Sequence, residues 1–117
     1  MYHVNITESA ERDLLDTSIY IAQTLSNKTA ANRLLDKADK TAVSLSENPT
    51  RHPFVKDELL AAKGLRSLHV DNYLLFYVVR EKTKNVNIIR FVHSRRDWTR
   101  LFNEVLFEDT TSEQGST

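Results

Sequence analysis

Cysteine is absent from the 117-residue chain, which excludes disulfide frameworks, thiolate metal sites and cysteine nucleophiles. Glycine is nearly absent: Gly64 and Gly115 are the only two, so no glycine-rich loop is available to cradle the phosphates of a nucleotide. No long hydrophobic stretch occurs either. The longest apolar run, Tyr73 to Val79, is far too short to cross a bilayer as a helix. Residues Met1 to Glu8 lack the basic start and apolar stretch of a secretion signal. The four histidines (His3, His52, His69 and His93) show no i, i+4 pairing of the kind a helical metal site uses. These absences predict a soluble, cytoplasmic protein without metal, cofactor or membrane contact.

What remains suits one globular domain. The length is that of a single core, with 40% hydrophobic and 27% charged residues. A net charge of zero conceals an uneven distribution. Residues 63–102 carry nine Lys/Arg against three Asp/Glu, a balance of +6, whereas residues 103–117 carry four acids and no base. A basic segment of this kind meets phosphates, an acidic protein partner or plain solvent. Arginine dominates it, and a guanidinium grips phosphate or carboxylate through a planar fork.

Periodicity supplies the elements. Tyr2, Val4 and Ile6 alternate with polar residues, as in a half-buried strand. Thr7 then caps a helix with Glu8 and Glu11 at its positive end. Leu14, Ser18, Ile21, Ala22 and Leu25 form one stripe of that helix. Asn27 caps a second helix with the stripe Ala31, Leu34, Ala38, Ala42 and Leu45, ended by Asn48-Pro49. Residues 51–54 read as loop, and 57–63 as a helical turn stopped by Gly64.

Beyond Gly64 the period becomes two, giving three strands joined by two polar turns. The fold class is α+β, ordered β-α-α-β-β-β: a helical hairpin packed on one mainly antiparallel four-stranded sheet that the first strand must join. Residues 1–102 form the domain and 103–117 an acidic, flexible tail, whose residues 104–113 are expected to fold over the basic segment and partly shield it.

Candidate chemistry lies in the second half. Strand alternation sets Arg90 on a face with Ile88 and Val92, and His93 on the other with Ile89 and Phe91. A guanidinium on an apolar strand needs a partner or open water. Asp71, Asp97 or a helix-end carbonyl is one solution for Arg90; an anion-facing concavity holding Arg66, Arg90, His93, Arg95 and Arg96 is the other. Lys63, Arg66, Arg95, Arg96, Trp98 and Arg100 are candidates for contact with a nucleic acid or other target. Trp98, Leu101 and Phe102, at helical spacing, either dock the C-terminal segment on the core or stack on bases. His69 and His93 pack, or exchange protons near neutral pH. Asp13, Asp16, Asp36 and Asp39 read as solvated helix surface.

Several blocks together resemble the RelE/ParE superfamily of type II toxin–antitoxin toxins. They are Glu8 to Leu14, Leu45 to Pro49, Gly64 to Val70, Asn72 to Val79, and Ile88 to Asp97. The resemblance spans about residues 2–102 and implies the same fold, a cognate antitoxin as partner, and a growth-arrest function. RelE-like members cut mRNA on the ribosome by 2′-hydroxyl attack, without metal; here that would make Arg66, Arg90, His93, Arg95 and Arg96 the catalytic candidates. ParE-like members bind DNA gyrase and need no catalytic set. RNA-cutting relatives often carry arginine where this chain has Leu74, and a C-terminal tyrosine or histidine for which His93 and Trp98 are the nearest candidates. The Tyr73-to-Tyr77 core and the Arg95-Arg96-Asp97 ending look more ParE-like. A non-toxic antitoxin-binding or nucleic-acid-binding relative is the remaining alternative.

Overall fold

The structure, a computed structural model, describes residues 1–102. The chain begins with strand β1 (His3–Ile6) and enters helix α1 (Glu8–Ile19), where the Thr7 hydroxyl accepts from the Ala10 amide. That cap satisfies one of the unpaired N–H groups at the helix start. The helix then widens into a π-helical turn over Tyr20–Thr24, marked by a bond from the Leu25 amide to the Tyr20 carbonyl. Widening inserts an extra residue into the turn and rotates the positions beyond it. The predicted stripe therefore holds through Ser18 and Ile21, whereas Leu25 swings outward and is 56% exposed.

Asn27 caps helix α2 (Lys28–Ser44) by accepting from the Ala30 amide. Its whole stripe, Ala31, Leu34, Ala38, Ala42 and Leu45, is buried. Three alanines in that stripe let the helix approach the sheet closely. A 3-10 turn at Pro49–Arg51 comes next, then the short helix α3 (Glu58–Ala62), capped by Asp57. Gly64 ends it with φ +93°, a left-handed conformation that glycine adopts without a Cβ penalty.

Strands β2 (Leu65–Val70), β3 (Tyr73–Arg80) and β4 (Asn85–His93) form the antiparallel meander. β1 joins it in parallel alongside β4, so the sheet order is β1-β4-β3-β2. Asn5 donates to the buried Asn87 side chain across that parallel pair. The two inner strands carry the heaviest burial: Phe76, Tyr77, Ile88, Ile89 and Phe91 are each 2% exposed or less. Burying side chains of this size stabilises by about 2–3 kcal/mol apiece.

Each sheet face has its own core. The helical hairpin covers Leu68, Val70, Leu75, Tyr77, Val86, Ile88 and Phe91. The opposite face, with Leu65, Leu74, Phe76, Val78, Ile89 and Val92, is covered by α3 and by a 3-10 turn at Trp98–Phe102. Phe102 is buried against Phe76 and Trp98, so this segment docks on the core. The acidic tail lies outside the described residues.

The alternation predicted for β4 fails at its middle. Phe76 pairs with Arg90 but Tyr77 pairs with Ile88, leaving Ile89 as an extra residue in a bulge. The bulge resets the faces: Ile88 sides with Phe91, and Ile89 with Val92. The expected grouping of Ile88 with Val92, and of Ile89 with Phe91, is thereby overturned.

Candidate functional site

The bulge aims Arg90 at helix α1. Its Nε donates to Asp13 Oδ2 at 2.6 Å and its Nη2 to Asp13 Oδ1 at 2.9 Å, a two-pronged pair. The Phe91 amide also donates to Asp13 Oδ2, at 2.9 Å. The side chains of Arg90 and Asp13 are only 18% and 14% exposed. Asp13 is therefore no solvated surface acid, although Asp16, Asp36 and Asp39 are exposed as expected. Neither Asp71 nor Asp97 holds Arg90: Asp71 pairs with Lys37, and Asp97 accepts from Thr99.

Arg66 is engaged elsewhere, on edge strand β2. Its Nη1 donates to the His52 carbonyl at 2.6 Å and the Thr50 carbonyl at 3.3 Å, and its guanidinium lies 3.9 Å above the Phe54 ring. Under the same loop, the Tyr77 hydroxyl donates to the Pro49 carbonyl at 2.6 Å. Burial pushes the Tyr77 hydroxyl's pKa above its ordinary value, against the opposing pull of Arg66 and Arg51. Burial, aided by the Arg51 charge, pushes the His52 imidazole below its ordinary value.

The remaining candidates sit at the end of the sheet or on the segment after β4. His93 is exposed, with its Nδ1 accepting from the Arg95 amide and its ring edge-on to Tyr73. Arg95, Arg96 and Arg100 are exposed, as is Lys63 beside Gly64. Trp98 is half-buried, its ring 4.8 Å from that of Phe76.

Three hollows surround these residues. A cleft of about 310 Å³ lies between the α1 end and the ends of β3 and β4; it brings His93 and Arg96 together with Asp13, Asp16, Tyr20 and Tyr73. A wider cleft of about 580 Å³ opens between the loop of residues 52–56 and β2, and holds Trp98, His52, His69, Lys56 and the buried Leu74. An apolar groove of about 280 Å³ runs between α1 and α2, rimmed by Glu11 and Asp39. Arg66, Arg90 and Arg95 line none of the three, so the five arginine and histidine candidates do not share one hollow. Among the described residues, no three His, Asp or Glu gather to hold a metal, and no helix is long and apolar enough to cross a membrane.

Three participants escape prediction from the sequence. Asp13 lies three residues after Ala10 and one before Leu14, on the flank of the apolar stripe, a position open to either orientation until its distant partner Arg90 is known. Tyr20 owes its place to the π-helical turn, for which the sequence carries no signature. Tyr73, predicted as core, stacks on Phe91 at 5.1 Å, yet its outer edge faces the cleft. Burial, with Tyr20 nearby, raises the Tyr73 hydroxyl's pKa.

Known proteins share this fold. Among solved structures, the chain is similar to the RelBE2 toxin–antitoxin complex of Mycobacterium tuberculosis at 26% identity and TM-score 0.59, over 79% of this chain and 96% of that one. It is also similar to the chromosomal ParDE system of P. aeruginosa at 17% identity and TM-score 0.65, over 80% and 96%, a likeness of fold. No curated protein matches the sequence. The family described as "ParE toxin of type II toxin-antitoxin system, parDE" matches residues 4–98, from β1 to the Trp98 that closes the second core. With hairpin, meander and parallel first strand all inside that span, the chain belongs to the ParE toxin family of type II toxin–antitoxin systems.

Proposed function

We propose that this toxin arrests growth by docking on DNA gyrase, and that a cognate antitoxin neutralises it. One observation carries the reading: the two arginines that the strands contribute to the candidate set, Arg66 and Arg90, are already engaged. Arg90 is held by Asp13, Arg66 by two loop carbonyls, and the cleft beside β2 has Leu74 in its wall. RNA cleavage through a 2′-hydroxyl needs cationic donors aimed at the doubly charged transition state. Docking needs none; it needs exposed aromatic and arginine surface. The antitoxin fits the apolar groove, where Leu15 is 58% and Leu35 37% exposed beside Glu11 and Asp39. An amphipathic segment with basic flanks suits such a groove, and both structural neighbours are toxin–antitoxin complexes.

Induced expression without antitoxin tests the reading. Growth should stop, with DNA breaks and the SOS response preceding any fall in translation. Undiminished growth at high soluble expression refutes a toxin. A second reading, RelE-like mRNA cleavage, draws support from His52, His69 and Lys56 lining the wide cleft. New 5′ ends within codons, intact DNA, and loss of those ends in His69→Ala would favour it instead.

A further inference from the structure

The cleft at the end of the sheet has features that neither fold nor core requires. Its α1 wall contains Asp16 and Tyr20; Tyr20 sits where the helix widens into the π-helical turn and is 53% exposed. π-helical turns are costly interruptions that recur at functional positions. The opposite wall is Tyr73, stacked on Phe91, with His93 against its edge and Arg96 beyond. Among the described residues, neither the Arg96 guanidinium nor the Asp16 carboxylate has a partner, and no hydrogen bond engages the Tyr20 or Tyr73 hydroxyl. The floor is rigid, because the Asp13–Arg90 pair and the Phe91 amide lock α1 to β4 directly beneath it.

Half-exposed tyrosines around an arginine on a rigid base are what energetically dominant protein contacts are made of, since little side-chain freedom is lost on binding. The exposed Arg95 and Arg96 follow within three residues of the end of β4, so this end of the sheet carries a basic pair. We infer that the cleft walled by Tyr20, Tyr73, His93 and Arg96 is the target-docking site, and that it takes an acidic segment of the target protein with a carboxylate on Arg96. This rests on the protein-target reading above. Nucleic acid suits the cleft less well: a protein segment can set one carboxylate on Arg96 and an amide or hydroxyl donor opposite Asp16, whereas a phosphate chain brings like charge to both places.

Arg96→Glu and Tyr20→Ala change exposed side chains outside both cores, so folding should be unaffected, as thermal unfolding will verify. Binding of the full chain to purified gyrase should weaken at least about tenfold in each, with Arg96→Lys intermediate, and growth arrest should weaken in parallel. Wild-type binding with undiminished binding by both variants overturns the docking site but leaves the gyrase reading standing. No gyrase binding by the wild type overturns that reading itself. Loss of mRNA cleavage in Arg96→Glu, with gyrase never engaged, overturns the acidic protein segment in favour of RNA.

Discussion

Replacing Asp13 with alanine tests whether Arg90 holds the fold together or stands ready for chemistry. The substitution removes the acceptor of both Arg90 hydrogen bonds and of the Phe91 amide. It leaves a guanidinium whose side chain is 18% exposed facing α1 with no counter-charge. Breaking a buried pair from one side costs about 3–5 kcal/mol, and the residual contact with water brings the expectation here to about 2–4 kcal/mol. In a domain of this size each kcal/mol moves Tm by about 4–8 °C, so a fall of about 8–32 °C is expected. Urea unfolding of Asp13→Ala, Arg90→Ala and the double variant gives the coupling directly. The double variant should be far less destabilised than the two singles combined, because neither charge is then stranded. Asp13→Leu with Arg90→Met, which refills the site with apolar atoms, should recover most of the loss. A loss in Asp13→Ala below about 0.5 kcal/mol that vanishes with salt would refute the reasoning, since that is how exposed ion pairs behave.

Tyr77→Phe should cost about 1–2 kcal/mol by urea unfolding, since it strands the Pro49 carbonyl while leaving the packing intact. Because the Tyr77 pKa is raised in the folded state, its contribution is present below pH 10 and lost as pH rises beyond it; the variant should show a shallower alkaline decline. His52 has the opposite sign. Its lowered folded-state pKa means that the unfolded chain takes up the proton first as pH falls below 6.5, so stability drops there, and His52→Gln should flatten that slope. Gly64→Ala should cost about 1 kcal/mol or more: the added Cβ meets Val78 at an ordinary 3.7 Å, so the penalty comes from a φ of +93°. A neutral result by thermal unfolding would contradict that account.

The parts of this structure that local chemistry determines were legible in the sequence. The caps at Thr7 and Asn27, the stop at Gly64 and the whole Ala31-to-Leu45 stripe arise from residues a turn apart. The docking of Trp98, Leu101 and Phe102 on the core was one of the two readings that their helical spacing allowed. Misreadings arose where distant segments decide. The extra residue Ile89 inverts half of β4, and nothing in the run Val86 to His93 announces it. Asp13 looked like a surface acid because its partner lies 77 positions away. The widened turn at Tyr20 sent Leu25 outward through a backbone choice that side-chain periodicity does not encode. The candidate site inherited these errors: a basic run in sequence became separate engagements, with Arg66 on loop carbonyls and Arg90 on a helix acid, while His93 and Arg96 alone share a cleft.

The pairing of β1 with β4 bears on when this molecule can act. Residues 3–6 find their neighbours only at 85–88, so a nascent chain emerging from the ribosome cannot seat its first strand until nearly all of the described residues have been made. The hairpin-side core draws Leu68, Leu75, Ile88 and Phe91 from that late segment, and until they arrive the two helices have little to close upon. A prematurely truncated translation product is thus an unfinished sheet rather than a weakened poison. The fold of this toxin is completed only near the end of the synthesis of its described residues.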